Sequence, residues 1–230
     1  MAQMYGINKE DKKEDKINVN LELLEKNVDK IALLTAITQI YQNALIATTQ
    51  EELGRICLNA AKEMTQSKFG FIGELNAETG LLDDIAISNA GWDEWQIEIK
   101  TGHKKKIPIH IQIPGLYGHV LSQEKSFFTN NPSEHVESTG IPLGHPSIAS
   151  FLGSPLFLEG RINGLVGLAN REGGYGIRQQ TLLDALAPTM AKVFITRRAQ
   201  KTLSKSEELY RTLVKNLPDV AVFVVDKELR

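Results

Sequence analysis

Residues 147–170 read SIASFLGSPLFLEGRINGLVGLAN and carry the most regular local pattern in the chain. Apolar residues dominate both halves of this stretch, over residues 147–158 and 161–169. The dipeptide Glu159-Gly160 separates the halves, and a two-residue connection that contains glycine is typical of a tight turn. We therefore predict two strands joined as a hairpin.

The chain before this hairpin contains a second pair of predicted strands. Residues 69–75 and about 81–88 are strand-like, and the residues between them are typical of a turn. Thr49 followed by Glu52 fits a capping box, which would begin a helix with one apolar face. Residues 116–123 predict a short helix, and residues 126–129 predict a strand.

A long helical stretch follows the hairpin, from about residue 177 past residue 203, and Pro188 would open or bend it. The predicted order is therefore two helices, two strands, an irregular middle, three strands and a final helix. Antiparallel strands bracketed by helices indicate an α+β fold with one sheet covered by helices.

Apolar residues at steps of three or four mark the first helix: Leu21, Leu24, Val28, Ile31, Leu34, Ile37, Tyr41 and Leu45. Their mean spacing is close to that of a coiled-coil seam, which would join two signalling helices. The same spacing also fits a helix that packs on its own domain, and both interpretations remain open. Residues 1–20 are mostly charged and polar, and we predict a disordered leader there.

Composition excludes several classes of protein. The 26 basic and 28 acidic residues give a net charge of −2, so there is no basic surface for a nucleic acid. A single cysteine cannot form an internal disulfide, which favours a cytoplasmic protein. The N-terminus lacks the apolar core of a signal peptide, and no stretch has the roughly 18 apolar residues of a membrane span.

The segment 147–170 resembles the last hairpin of a GAF domain, with a small residue before Pro155 and Asn170 at its end. Residues 67–75 resemble the first strand of that family, and residues 182–188 resemble its closing helix. The resemblance implies a GAF-like antiparallel sheet over residues 49–198. Residues 21–48 would then be an N-terminal signalling helix and part of the helical layer.

A second resemblance begins at Ser206, where SEELYRTLVKNLPD is similar to the entry of a PAS domain. Residues 220–226, VAVFVVD, would be its first strand, and residues 218–230 the start of a truncated PAS domain after a linker helix at 199–217. Taken together, the resemblances imply a parent protein of the sensor histidine kinase type. They also imply that α-helices at both ends relay a signal.

Known enzyme signatures are absent from the sequence, and we expect no catalytic activity. One branch of the GAF family reduces free methionine sulfoxide with several cysteines, whereas this chain has only Cys57. Cyclic-nucleotide binding in the family accompanies an acidic pair, and Gln179 and Gln180 stand at the corresponding positions. Both activities are therefore disfavoured.

Ligand contacts are expected from the aromatic and histidine residues of the middle region and from one helical thiol: Cys57, Trp92, Tyr117, His119, Phe128 and His145. A heme is one possible cofactor, with His103 as its axial ligand and Cys57 close to a vinyl group. A bilin ranks lower, because the middle region has no cysteine. Each of these residues also has an ordinary structural interpretation, as core filler or surface histidine.

The sequence therefore predicts a sensory GAF domain that binds a small molecule and forms a homodimer through its terminal helices. The alternatives are a heme-based redox or gas sensor and a dimerisation module without a ligand. Neither a nucleic acid nor a membrane is expected as a partner.

Overall fold

The computed structural model describes residues 9–76, 82–88, 115–140 and 147–216. Five strands in this part of the chain form one antiparallel sheet. The elements follow in the order α1 (Lys9–Ile46), α2 (Gln50–Thr65), β1 (Phe69–Leu75), β2 (Leu82–Ile87), α3 (Gly115–Gln123), β3 (Phe127–Thr129), a 3-10 turn (Pro132–Glu134), β4 (Phe151–Leu158), β5 (Arg161–Ala169) and α4 (Ile177–Lys215). The predicted α+β class and the order of elements are confirmed.

The strand order across the sheet is β2-β1-β5-β4-β3. The hairpin of β4 and β5 lies at its centre, and its pairs run from Phe151–Ala169 to Leu158–Arg161. Glu159 and Gly160 connect the strands with φ angles of 49° and 76°. Two successive left-handed residues give the twist that a two-residue hairpin needs, so the predicted turn is confirmed.

Helices cover the two faces of the sheet unequally. α1, α2 and α4 contribute to a large core that includes Leu58, Ile72, Leu183 and Met190. The opposite face carries a smaller core that includes Val120 of α3. Hereafter, the first side is called the helical face and the second the α3 face.

Helix α2 begins as its sequence predicts. The Thr49 hydroxyl accepts a hydrogen bond from the Glu52 backbone N–H at 3.0 Å. The Glu52 carboxylate accepts a hydrogen bond from the backbone N–H of Thr48 at 2.8 Å. The helix ends at Gln66, whose φ of 59° is a left-handed cap.

Helix α1 begins at Lys9, inside the segment predicted to be a disordered leader. The prediction of disorder is therefore wrong from Lys9 onward. Lys and Glu are strong helix formers even where a segment has no apolar face. Within α1, Ala36 and Ile40 are buried against the domain. Most of the predicted stripe instead faces outward, and its members Leu24 and Ile31 are 60% and 65% exposed. Its member Ile37 packs against the core.

Helix α4 continues without interruption through Pro188 to Lys215. It includes residues 206–215, which were predicted as the entry to a PAS domain, while residues 217–230 lie outside the described part of the chain. Leu203 and Tyr210 are exposed on this C-terminal portion. No helix among the described residues is both long enough and apolar enough to cross a bilayer.

α1 and α4 lie side by side and run in the same direction. Arg178 at the start of α4 bonds Asp29, and Arg197 near the end of the packed region bonds the backbone carbonyl of Thr48. Both contacts join residues 149 positions apart in the sequence. The N-terminal portion of α1 and the C-terminal portion of α4 therefore extend beyond the sheet at opposite ends.

Candidate functional site

The α3 face is the candidate site, because it combines an apolar floor with two ionisable groups. Its buried residues are Phe71, Leu82, Val120, Phe151 and Leu165. Partly buried residues pack around them: Ile87, Leu116, Tyr117, Leu121, Phe127 and Ile148. These side chains pack against one another beneath α3, so a small molecule with a largely apolar body would contact them where α3 moves away from the sheet.

Two glycines in the sheet let α3 approach closely. A Cβ atom on Gly167 would lie 2.5 Å from Cε1 of Tyr117, and one on Gly153 would lie 2.5 Å from Cγ2 of Val120. The two glycines are paired across β4 and β5. The sequence thus leaves a shallow trough across the centre of the sheet, and the side chains of α3 fill it.

Tyr117 lies over this trough between two phenylalanines. Its ring centroid is 5.3 Å from that of Phe71 and 5.7 Å from that of Phe151, in tilted and edge-on arrangements. Burial, followed by the negative charge of Asp84, raises the pKa of the Tyr117 phenol to about 12. The phenol therefore keeps its proton at physiological pH and can donate or accept a hydrogen bond.

Asp84 of β2 is the second polar group on this face. Desolvation, followed by the neighbouring charge of Asp83, raises the pKa of the Asp84 carboxyl to about 6. Asp84 remains open to solvent, so its carboxyl can exchange protons freely. Sequence reasoning missed this residue, although two successive acidic residues inside an apolar strand are the signal that could have found it.

His119 belongs to a separate ring cluster at the edge of the α3 face. Its ring centroid lies 4.6 Å from that of Phe127 and 5.1 Å from that of His135. His135 Nδ1 accepts a hydrogen bond from the Glu137 backbone N–H at 3.2 Å. A neutral His135 therefore carries its proton on Nε2, which leaves no free nitrogen lone pair for a metal ion.

The predicted ligand contacts lie on different sides of the sheet. Tyr117 and His119 belong to the α3 face, whereas Cys57 and Phe128 pack with the helical face. Cys57 has no exposed surface, and burial raises the pKa of its thiol to about 12. Trp92, His103 and His145 lie outside the described residues.

The position of Cys57 does not fit the predicted site in which its thiol lies close to a heme vinyl group. The Cys57 thiol lies within the packed helical core, and the sheet separates it from Tyr117 and His119. Among the described residues, no three His, Cys, Asp or Glu side chains form a group that could hold a metal ion. Cys57 therefore cannot reach a heme held on the α3 face.

Two polar residues after β5, Asn170 and Tyr175, have structural roles. The Asn170 side chain accepts from the Ala149 backbone N–H at 2.8 Å and donates to the Ser147 carbonyl at 2.7 Å. The Tyr175 hydroxyl donates to the Ser67 hydroxyl at 2.7 Å, within the buried interior. The Asn170 bonds hold the end of β5 against the residues before β4, and the Tyr175 bond ties the segment before α4 to the connection between α2 and β1.

A family model described as GAF domain matches residues 47–194. The chain belongs to the GAF domain family. This confirms the resemblance found at 147–170 and at the flanking segments. The match begins just after α1 and ends where α4 leaves the sheet.

Solved structures agree with the GAF fold. The GAF domain of a phosphoenolpyruvate-protein phosphotransferase from Coxiella burnetii has a TM-score of 0.60 at 19% identity, covering 75% of this chain and 98% of that one. The corresponding Acinetobacter domain has a TM-score of 0.56 at 17% identity, with 72% and 94% covered. Free methionine-R-sulfoxide reductase from Neisseria meningitidis, solved with its substrate, has a TM-score of 0.53 at 14% identity, with 73% and 91% covered.

One characterised relative is a sensor. This GAF chain is 27% identical over 154 residues to a methyl sulfide methyltransferase-associated sensor from Methanosarcina acetivorans. The alignment covers 65% of this chain but only 15% of the relative. The GAF domain is therefore related to a sensor protein of much greater length.

Proposed function

We propose that this GAF domain is the sensory unit of a longer signalling protein of the histidine-kinase type. A small molecule binds on the α3 face, and two copies of the chain pair through α1 and α4. The change then travels along α4 toward an output domain beyond residue 230. The observation that carries this proposal is the pair of exposed apolar stripes on two parallel helices that extend beyond the sheet at opposite ends.

The stripe on α1 has the spacing of a coiled coil. Its members alternate steps of four and three residues and are all between 49% and 65% exposed: Ile17, Leu21, Leu24, Val28 and Ile31. On α4, Leu203, Tyr210 and Leu213 are similarly exposed. A second copy of the chain offers a matching stripe at each end, so a homodimer would bury both at once.

The α3 face supplies the ligand site of this proposal. Its floor is apolar, Tyr117 can donate or accept a hydrogen bond, and Asp84 carries a carboxyl whose pKa is close to neutral. These groups suit a small organic molecule that donates a hydrogen bond or carries a positive charge near Asp84. A heme is the alternative ligand, with His103 as its proposed axial ligand.

The output is assigned by analogy with the sensor relative. That protein is several times longer than the aligned region, so most of its length has no counterpart in this chain. The PAS resemblance of residues 206–226 supports a further sensory module after α4. A cytoplasmic setting, predicted from the single thiol, belongs to the same proposal.

We propose no enzymatic role for this GAF domain. Sulfoxide reduction by a thiol requires an accessible thiolate, whereas the Cys57 thiol is fully buried and its pKa is about 12. A second cysteine that could resolve an intermediate is missing from the sequence. Because Cys57 is buried and has no second cysteine to react with, its role fits that of a residue of the hydrophobic core.

Sedimentation equilibrium of the chain tests the pairing. We expect a dimer for the parent protein and a monomer for Leu24→Glu, which places a charge in the α1 seam. Lys26→Glu is the matched control, because it changes charge on the opposite side of the same helix turn. A monomeric parent chain, or a Leu24→Glu chain that still dimerises equally well, would reject the paired-helix relay.

Ligand binding is tested by NMR titration of the ¹⁵N-labelled chain with defined pools of amines, nucleobases and amino acids, and with hemin. We expect saturable shifts of backbone amides around Tyr117 and Leu165, with weaker binding in Asp84→Asn. A Soret band that saturates at one hemin per chain would select the heme alternative. Saturation by none of these probes, together with a dimer, would select the dimerisation module.

A further inference from the structure

A carboxylate near the start of α4 bonds to the two strands at one edge of the sheet. The hydroxyl of Ser126, just before β3, donates to Asp184 Oδ2 at 2.6 Å, and the Ser154 hydroxyl of β4 donates to Oδ1 at 2.7 Å. Gln180 Nε2, one turn earlier on α4, donates to the carbonyl and hydroxyl oxygens of Ser126, at 2.8 Å each. We call these four residues the Asp184 clamp.

The Asp184 clamp lies on the wall of an open cleft of about 410 Å³ between α4 and the edge of the sheet. Pro155 and Phe157 of β4 and Pro188 of α4 also line this cleft. Because water can enter it, a broken clamp bond can be replaced by a bond to solvent at small cost. The clamp can therefore open and close without unfolding the core.

α4 has a weak point next to the clamp. Pro188 stands four residues after Asp184 and has no backbone N–H, so the Asp184 carbonyl lacks its normal partner within the helix. Such a position bends more easily than the rest of a helix. The side chain of Asp184 is thus held by the sheet at the residue where the helix is most easily deflected.

β3 connects the clamp to the α3 face. It has only three residues and, among the residues that the structure describes, pairs only with β4, so it is the least supported of the five described strands. Its Phe127 ring lies 4.6 Å from the His119 ring of α3 and 5.5 Å from the Phe151 ring, measured between centroids. A displacement of α3 therefore acts directly on Phe127 and on the adjacent Ser126.

We propose that the Asp184 clamp transmits a displacement of α3 to α4, with Pro188 as the position where α4 changes direction. The inference rests on the proposed function, in which a ligand on the α3 face supplies that displacement. Ser126 and Ser154 act as positioning residues in this relay, because they contact Asp184 and not the proposed ligand site. The clamp therefore adds a direct route between α3 and α4 to the packing of both helices on β4.

Amide hydrogen exchange of the full chain tests the relay without any ligand. Val120→Ala loosens α3, since Val120 is fully buried beneath it. In the parent background we expect exchange over residues 185–195 to rise by about fivefold, the lower end of typical coupling between sites. In the Ser126→Ala/Ser154→Ala background, Val120→Ala should leave exchange in these residues unchanged. All rates are corrected for global stability by denaturant unfolding.

Thr196→Ala is the matched control, because the Thr196 hydroxyl bonds to the Lys192 carbonyl within α4 and to no other described residue. It should preserve the full response to Val120→Ala. If Val120→Ala raises amide exchange over residues 185–195 equally with and without the clamp hydroxyls, the bonds to Asp184 only stabilise the fold and the relay is rejected. If Val120→Ala does not fold, Leu121→Ala, which removes another packing side chain of α3, supplies the displacement. A failed ligand titration would reject the proposed function and would leave this coupling result unaffected.

Discussion

Asp29 of α1 and Arg178 in the first turn of α4 form a two-point ion pair. Arg178 Nε lies 2.8 Å from Asp29 Oδ2, and Arg178 Nη2 lies 2.7 Å from Oδ1. A planar guanidinium held at two points fixes both the distance and the orientation of the two helices. The pair therefore sets the alignment along which α1 and α4 pack.

Asp29→Asn should lower the free energy of unfolding by less than about 1 kcal/mol at neutral pH, since Arg178 is partly exposed. The hydrogen bonds from Arg178 hold the pKa of Asp29 below its usual value. A lowered pKa gives stability that is present above the unfolded pKa and is lost as pH falls through the folded one. The difference between parent and variant should therefore shrink in acid, which urea unfolding at several pH values measures.

Arg178→Gln provides the second side of a double-mutant cycle. The double variant should be less destabilised than the sum of the two single changes, because both remove the same bond. Strict additivity of the three values would show that the ion pair contributes nothing to the packing of α1 on α4.

The Cys57 thiol should be unreactive in the folded chain. It is fully buried, and burial raises its pKa to about 12, so almost no thiolate is present at neutral pH. We expect labelling by a thiol reagent to follow global unfolding when urea is increased. Ser204→Cys, at an exposed position of α4, supplies a control thiol that should react at once. Rapid labelling of Cys57 in the absence of urea would contradict the packing of α2.

Gly167→Ala should destabilise the α3 face by about 1–3 kcal/mol, the usual cost of overpacking. The new Cβ would lie 2.5 Å from Cε1 of Tyr117, so the ring must move away from the trough. Near-ultraviolet circular dichroism reports the change around Tyr117, and urea unfolding gives its energy. The double variant with Tyr117→Leu should recover part of the loss. An equal loss in both variants would show that Tyr117 does not lie over Gly167.

Asp84→Asn should change how stability depends on pH. The folded pKa of Asp84 is raised to about 6 by desolvation and then by Asp83, so its stabilising contribution is complete below the unfolded pKa. That contribution is lost as pH rises through about 6, and the variant should lack this loss. Parent and variant should therefore converge near pH 4 and differ at pH 7, with the variant the more stable. A carboxyl ¹³C titration of Asp84 with a midpoint near 4 would contradict this.

The elements that sequence predicted well are those defined by local chemistry. The β4–β5 hairpin was predicted because Glu159 and Gly160 are the entire connection, and left-handed φ angles at that turn are a local requirement. The capped start of α2 was equally local, since Thr49 and Glu52 lie within one turn. The start of α1 at Lys9 was not predicted, because a charged segment without an apolar face resembles a disordered one although its Lys and Glu residues favour a helix.

The candidate site was less predictable, because its residues meet only through the sheet. Periodicity placed Cys57 on the apolar side of α2, but it could not tell which face of the sheet that side would cover. Asp84 acts on Tyr117 across two elements that are far apart in the sequence. The bonds from Ser126 and Ser154 to Asp184 likewise span at least 30 positions.

α4 continues without a break from the sheet to Lys215. The direction in which a side chain beyond the sheet points therefore depends on how many helical residues precede it. A helix turns by about 100° per residue, so one residue inserted after Arg198 would rotate every later side chain to a different side. An insertion of seven residues restores the original direction to within about 20°. In the proposed relay, the number of residues after the sheet would set the orientation of the output domain, and related signalling proteins should vary in that length by multiples of seven.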